Sequence, residues 1–363
     1  MKELFSSVET EGIKYAGSKL KLLPYILEIC RDLGPMQTVL DGFSGTTRVA
    51  QAFAQLGYRV TANDIADWSE VFATCYLKAD KPIAYYQAIL DHLNSLPGYD
   101  GWFSAHYGGA ENSPKKPFQL KNTQKLDAIR DEIEKLGLCF EDKCVILTSL
   151  ILALDKVDST LGHFASYLSK WSGRSFKELV LQMPKKFPLT QKHQVSRGDV
   201  FSLLPAKEWD LAYFDPPYGS NNAKMPSSRV RYNAYYHLWT TVIRNDRPEL
   251  FGKANRRADS RDLQNPSAFE SYKTDEKGTS TALKTLEQLV AQTKAHYLLL
   301  SYSSGGRASR QDLTDILSAH GKIKKILEID YKKNVMAQMR YTHQWVCDNE
   351  PKKHLEYLFL LEK

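Results

Sequence analysis

Apolar and polar positions follow two rhythms along this chain. Residues 18–33, SKLKLLPYILEICRDL, place apolar side chains at helical spacing, with Ser18 positioned as an N-cap. The short apolar run TVLDGF (38–43) then predicts a buried strand entering a glycine turn, and TTRVAQAFAQLG (46–57) a helix closed by Gly57. YRVTAND (58–64) predicts the next strand and residues 69–80 the next helix. Strand, glycine turn, helix, strand is the opening of a nucleotide-binding α/β unit.

The rhythm changes between about residue 80 and residue 190. Amphipathic helices are predicted at 122–137 and 142–156, after a proline- and glycine-rich interruption, GYDGWFSAHYGGAENSPKKPF (98–118). The α/β pattern resumes with VSRGDVFSLL (195–204) and the strand DLAYFD (210–215). A helix at 281–295, a strand at 297–303 and a helix at 309–321 follow. Two last strands, 322–331 and 355–363, read as an antiparallel hairpin on the edge of a mostly parallel sheet. The expected division is an α/β domain of residues 1–80 and 191–363 interrupted by a largely helical subdomain of residues 81–190.

Composition adds little to this until charge is located. The chain of 363 residues is 42% hydrophobic and 25% charged, as globular proteins are. No apolar run approaches the ~20 residues of a membrane span, and MKELFSSVETEGIKYAG has no signal-peptide core, so a cytoplasmic protein without membrane contact is expected. The five cysteines are scattered with no C-x-x-C pair, which argues against structural disulfides and a zinc site, and no metal-binding residue is expected. The net charge is +7, and residues 219–261, with nine basic and three acidic side chains, carry +6 of it. A basic stripe of this kind suits a polyanion, although alone it would read as a solvated loop.

Two turns carry the candidate chemistry. Asp41-Gly-Phe-Ser-Gly-Thr ends the first strand, where glycines at 42 and 45 allow close backbone approach and a helix N-terminus follows. It is neither G-x-G-x-x-G nor a P-loop. Asp64 closes the second strand, where an acid can accept from both ribose hydroxyls; its plain alternative is an N-cap for the next helix. The second turn is YFDPPYGSNN (213–222). Asp215 offers acceptors only, two prolines stiffen the turn and remove donors, and Tyr218 adds a flat face. An acceptor carboxylate, an acceptor carbonyl and a ring together suit an exocyclic amine on a planar heterocycle.

With these motifs the chain resembles the D12-class, Dam-like DNA N6-adenine methyltransferases. KYAGSK (14–19) is similar to that family's N-terminal motif, DGFSGTTRVA (41–50) to its cofactor turn and FDPPY (214–218) to its catalytic motif. LLLSYSS (298–304) and YKKN (331–334) resemble its later elements. The resemblance implies a Rossmann-like S-adenosylmethionine-dependent methyltransferase sheet with an inserted helical target-recognition subdomain. It further implies that Tyr15 and Lys19 contact S-adenosylmethionine. Asp41, Phe43, Ser44 and Gly45 would line its methionine end and Asp64 its ribose, while Asp199 would meet its adenine or simply form a turn. Asp215, Pro216, Pro217 and Tyr218 would hold the target base, with Asp215 also facing the cofactor.

The implied reaction is direct methyl transfer to N6 of an adenine flipped out of double-stranded DNA. No cysteine follows a proline, against the covalent route of cytosine-C5 methylation. Cytosine N4 or adenine in RNA is the rival acceptor, and a non-catalytic binding module the rival class. Arg229, Arg231, Lys253, Arg256 and Arg257 are the expected DNA contacts, with the aromatics of RVRYNAYYHLW (229–239) among bases. The segment 219–261 is bulkier than the simplest family members carry. A role in restriction–modification is expected for a monomer; no obvious nuclease motif is read in the chain, and whether a separate cognate endonuclease partners it is left open by the sequence.

Overall fold

The computed structural model describes residues 8–110, 116–221, 231–261, 267–276, 278–330 and 355–363. They form two compact units, residues 1–200 with 231–265, and residues 201–230 with 266–363. The architecture is α/β, with a mostly parallel seven-stranded sheet and antiparallel strands at one edge.

In the first unit a 3-10 turn at Lys19–Lys21 leads into helix α1 (Leu23–Asp32). The helix therefore begins later than its apolar spacing predicts, and Ser18 makes no capping hydrogen bond. Pro24 is the reason: it lacks an N–H, and the first helical turn is the one place where none is needed. Strand β1 (Thr38–Asp41), helix α2 (Arg48–Gln55) and strand β2 (Arg59–Asp64) follow. β2 pairs in parallel with β1 on one side and with β5 (Gln194–Arg197) on the other.

Between β2 and β5 lie helices α3 (Asp67–Leu77), α4 (Ile83–Ser95), α5 (Trp102–Tyr107), α6 (Leu120–Lys135) and α7 (Phe140–Val157). The two-residue strands β3 (Gly108–Gly109) and β4 (Phe118–Gln119) pair in parallel between α5 and α6. α7 is apolar on nearly every face, and residues 144–154 are all buried, as expected of a central helix. Strand β6 (Trp209–Phe214) belongs to the second unit. Back in the first, α8 (Tyr232–Tyr235) and α9 (His237–Arg244) precede a hairpin of β7 (Leu250–Phe251) and β8 (Arg256–Arg257). The fully buried Arg130 of α6 donates from Nε to Val242 O of α9 at 2.6 Å and from Nη2 to Glu134 at 2.7 Å. Its charge is thus met by Glu134 on its own helix, while its Nε ties α6 to α9.

In the second unit, β6 leads by way of helix α10 (Thr281–Gln292) to β9 (Ala295–Ser303), which pairs with it in parallel. Helix α11 (Arg310–Ser318) is opened by a capping box between Ser309 and Asp312. β10 (Lys322–Asp330) and β11 (Leu355–Glu362) are the antiparallel pair predicted from sequence. β11 inserts between β9 and β10, leaving β10 outermost. The patterns explain the order: Tyr357–Leu361 is a continuous buried apolar run, whereas KIKKILEID alternates and carries a register shift between Ile323 and Lys325.

Candidate active site

The glycine turn is assembled from the backbone outwards. Asp41, 1% exposed, ends β1 and its carbonyl accepts from Ser44 Oγ at 3.0 Å. Ser44 N donates to Asn63 O at 2.9 Å, tying the turn to β2. Gly45 (φ +51°) donates its N–H to Asp64 Oδ2 at 2.8 Å, while Asp64 Oδ1 accepts from Ala66 N at 3.0 Å. Asp64 therefore holds two turns at once, the one after β1 and the one that opens α3. Thr47 is left-handed (φ 62°) at the start of α2, a strained conformation for a β-branched residue, and its Oγ1 accepts from Gln51 at 3.0 Å.

Two neighbours of Asp64 carried no sequence signal. Asn63 Nδ2 donates to Gly42 O at 3.3 Å and to Gly198 O at 3.2 Å, and Gly198 N donates to Asp64 O at 3.0 Å. Asn63 thereby fixes the β5 turn, with exposed Asp199 on it, against the turn after β1. Ile65 is 75% exposed, an apolar side chain beside an acid. Only its exposure, which sequence does not reveal, marks it out.

KYAGSK is anchored at both ends. Lys14 pairs with Asp155 at 3.3 Å and Asp158 at 2.9 Å on the last turn of α7 and just beyond it. Buried Lys19 donates to Gly17 O at 3.0 Å. Between them Tyr15 stacks on Tyr236 (centroids 4.5 Å apart) and Tyr232 (5.4 Å), and Ala16 N donates to Tyr236 Oη at 2.7 Å. A Cβ on Gly45 would lie 3.4 Å from the Tyr15 ring, so this motif reaches the glycine turn after β1. Burial pushes the Tyr15 phenol well above its usual value, and the nearby charge of Asp64 adds to the effect. Tyr15, Gly45 and Asp64 are thus brought together, with half-buried Phe43 two residues before Gly45.

The second turn lies at the carboxyl end of β6, whose last four residues, Leu211–Phe214, are buried. Asp215 is half-buried and Pro216 buried. Tyr218 Oη donates to Asp215 Oδ1 and lies 3.4 Å from both Ser301 Oγ of β9 and Glu356 Oε2 of β11. Tyr218 O accepts from Arg307 N at 2.8 Å and Tyr302 Oη at 3.2 Å, and the Tyr218 and Tyr302 rings are 4.8 Å apart. Burial, then the charges of Asp215 and Glu356, hold the Tyr218 phenol well above its ordinary range.

The expected DNA contacts separate by environment. Arg229 lies outside the described residues. Arg231 is half-buried at the start of α8, and Lys253 is exposed on the β7–β8 turn. Arg256 donates to Ser260 O at 2.7 Å, and its guanidinium lies 4.9 Å from the Phe251 ring centre; that of Arg261 lies 4.8 Å from the same ring. Arg257 differs: it is 3% exposed and holds Asp246 at 2.6 and 2.7 Å and Asp259 at 2.9 and 3.0 Å. Burial alone would lower its pKa, but the two carboxylates raise it. Its charge is met inside the fold. The aromatics expected among bases also turn inward: Tyr236, His237 and Trp239 are buried. YKKN (331–334) lies outside the described residues. No group of three metal-ligating side chains occurs among the described residues, and none of their helices is long and apolar enough to cross a membrane.

Strands ending on Asp41, on Asp64 and in an Asp-Pro-Pro-Tyr turn, within a mostly parallel sheet, are the layout of a methyltransferase. The family model described as D12 class N6 adenine-specific DNA methyltransferase matches residues 15–280, and the chain belongs to that family. It is 28% identical to Modification methylase StsI of Streptococcus sanguinis over 88% of this chain and 48% of that protein. It is also 28% identical to Type II methyltransferase M.NlaIII of Neisseria lactamica, over 97% of this chain and 99% of the relative. Type II methyltransferase M.FokI of Planomicrobium okeanokoites is 23% identical over 97% of the chain and 53% of its own length. The chain therefore spans about half the length of StsI and M.FokI and nearly all of M.NlaIII.

Proposed function

We propose that this chain is a site-specific DNA adenine methyltransferase acting on N6 of a flipped-out adenine in double-stranded DNA, as the modification half of a restriction–modification system. The observation that carries the reading is the Asp215–Tyr218 turn at the end of β6, in which a carboxylate and two donor-free prolines are backed by an aromatic ring, in a chain of this family. The relatives' designations as modification and type II methyltransferases support the restriction–modification part. A cognate endonuclease would be a separate protein, and the methyltransferase would act as a monomer in the cytoplasm.

S-adenosylmethionine, when bound, supplies an electrophilic methyl group on a sulfonium. The residues around the glycine turn fit it: a buried acid at 41, a turn without side-chain bulk at Gly45, acceptors for ribose at Asp64 and an apolar face at Ile65. Tyr15, Lys19, Phe43, Ser44 and Asp199 complete that set, and Asp215 would face it from the catalytic turn. The base amine has its lone pair drawn into the ring and is a weak nucleophile. Asp215 and the Pro216 carbonyl each accept one of its N–H bonds, which favours a pyramidal nitrogen with its lone pair directed outward. Tyr218, stacked on the base, restores part of the stacking lost on flipping. Catalysis then rests on orientation and electrostatics rather than on an enzyme nucleophile. Arg229, Arg231, Lys253 and Arg256 would contact phosphates, while Arg257 holds the hairpin that carries Lys253.

Incubating unmethylated DNA with labelled S-adenosylmethionine and identifying the product nucleoside tests this reading. N6-methyladenine is expected; N4-methylcytosine, transfer to RNA alone or no transfer would each reject it.

A further inference from the structure

Beyond Tyr218 the chain packs against a second turn, Ser303–Arg307, and the two are laced together. Asn221 N donates to Gly305 O at 3.0 Å and Asn221 Nδ2 to Ser304 O at 3.1 Å, while Arg307 N donates to Tyr218 O at 2.8 Å. Each turn has glycine where a side chain would collide. A Cβ on Gly219 (φ +67°) would lie 2.7 Å from Arg307 Cγ and 2.9 Å from its Nε. One on Gly306 would lie 2.4 Å from the Tyr302 ring and 3.0 Å from Tyr218 Cβ. This packing lays the Arg307 side chain across the residue that follows Tyr218.

The Arg307 guanidinium is only partly used by the fold. Nε donates to Glu270 O at 3.1 Å, and the exposed ring of Tyr272 lies 5.7 Å from its central carbon. Nη2 is buried and meets no hydrogen-bond partner among the described residues. A buried donor without a partner is costly and calls for an acceptor. Burial pushes the pKa of Arg307 down, but a guanidinium stays protonated at neutral pH. Its planar set of N–H groups matches the oxygens of a phosphate. A nucleotide whose base is held by Asp215 and Pro216 must lead its sugar and phosphates away past the next residues of the same turn.

We propose that Arg307 is a phosphate-binding residue, gripping a backbone phosphate that flanks the flipped nucleotide, with the Tyr272 ring packed against the same strand. The assignment rests on the adenine-methyltransferase reading and adds to it a contact outside the basic segment 219–261. Gly219 and Gly306 are then the residues that let this cation lie beside the catalytic turn.

Duplexes with a mapped methylation site and a single neutral methylphosphonate, moved phosphate by phosphate around the target adenine, test the contact. For the wild type, at least one flanking position is expected to raise the KM for DNA about 10-fold, as loss of one charged hydrogen bond would. Arg307→Gln is expected to raise KM on unmodified DNA by a similar factor and to flatten the log–log salt dependence of binding by about one unit. It should lose nothing further at that phosphate, and Arg307→Lys should keep most of the salt slope. Cofactor affinity is expected to stay at its wild-type value and the melting temperature to fall only slightly, through the lost Nε–Glu270 hydrogen bond, whereas a purely structural role would leave the salt slope and the phosphate scan unmoved. An Arg307→Gln protein with the wild-type slope, or with a full additional loss at that phosphate, overturns the proposal. If that variant does not fold, the wild-type scan decides, and indifference to every flanking methylphosphonate overturns it. Adenine methylation by the wild type in the same assay shows whether the underlying reading stands independently.

Discussion

The hydroxyl of Tyr218 donates to Asp215, the acid three residues earlier in the same turn. The carboxylate proposed to receive the base amine is therefore already accepting from its own stacking residue. The phenol has other acceptors in reach, Ser301 and Glu356 at 3.4 Å, so it can release Asp215 without being left unpaired. Tyr218→Phe keeps the ring and removes the competitor; its single-turnover rate is expected within about 5-fold of wild type. Tyr218→Ala should lose roughly 10- to 100-fold, since base–aromatic stacking contributes ~1–3 kcal/mol. Both should bind cofactor normally. Equal losses in the two variants would show that the hydroxyl, not the ring, matters.

Asp64 has a structural duty besides the one proposed toward ribose, because it accepts the N–H groups of Gly45 and Ala66. Asp64→Ala is expected to weaken S-adenosylmethionine binding by calorimetry about 10-fold or more. It should also lower stability without cofactor by about 1–3 kcal/mol, the usual range for hydrogen bonds to a charged group. Unchanged denaturant stability in the cofactor-free variant would mean that the carboxylate serves only the ligand.

Adjacent arginines are expected to fail in different ways. Arg256→Ala and Lys253→Ala should each flatten the salt dependence of DNA binding by about one unit. Lys253→Ala should leave stability nearly unchanged and Arg256→Ala should lower it by about 1 kcal/mol, for the lost bond to Ser260 O. Arg257→Ala should instead destabilise the fold by roughly 1–3 kcal/mol, below the range for a fully buried pair because Asp246 and Asp259 are partly exposed. Salt titrations and chemical denaturation on the same three proteins separate the two roles. A flattened salt slope with undiminished stability in Arg257→Ala would return that residue to the DNA surface.

Asp155 should make stability depend on pH. Burial holds its pKa up at about 6, against the opposing pull of Lys14 and with help from the charge of Asp158. The folded chain then binds this proton more tightly than the unfolded chain, whose carboxylate titrates near 3.9. The contribution is full below about pH 4 and is lost as pH rises through about 6. Relative to Asp155→Asn, the wild type is therefore expected to lose on the order of 1–2 kcal/mol between those limits. Parallel denaturation curves across that range check it, and a constant difference would show that Asp155 titrates normally.

What the sequence revealed depended on how local the signal was. β1, β2 and β6 are short apolar runs ending in an acid or a glycine turn, and their pattern alone marks both the strands and the candidate residues Asp41, Asp64 and Asp215. A hairpin reading leaves either of the last two strands outermost; the inner place of β11 shows only in the contrast between its continuous apolar run and the alternating KIKKILEID of β10. Arg256 and Arg257 are neighbours of the same type, and only tertiary packing distinguishes a cation on an aromatic ring from one held between Asp246 and Asp259. Ser301 and Glu356 reach Tyr218 from strands 83 and 138 residues downstream, a long-range pairing that local spacing does not encode.

The central claim is that Asp215 receives the amine of a flipped adenine. Its most direct test is product analysis after incubating wild type and Asp215→Ala with unmethylated DNA and S-adenosylmethionine. N6-methyladenine is expected from the wild type and none above background from Asp215→Ala, with cofactor binding and melting temperature preserved in the variant. Near-wild-type methylation by Asp215→Ala, or a wild-type product other than N6-methyladenine, would contradict it.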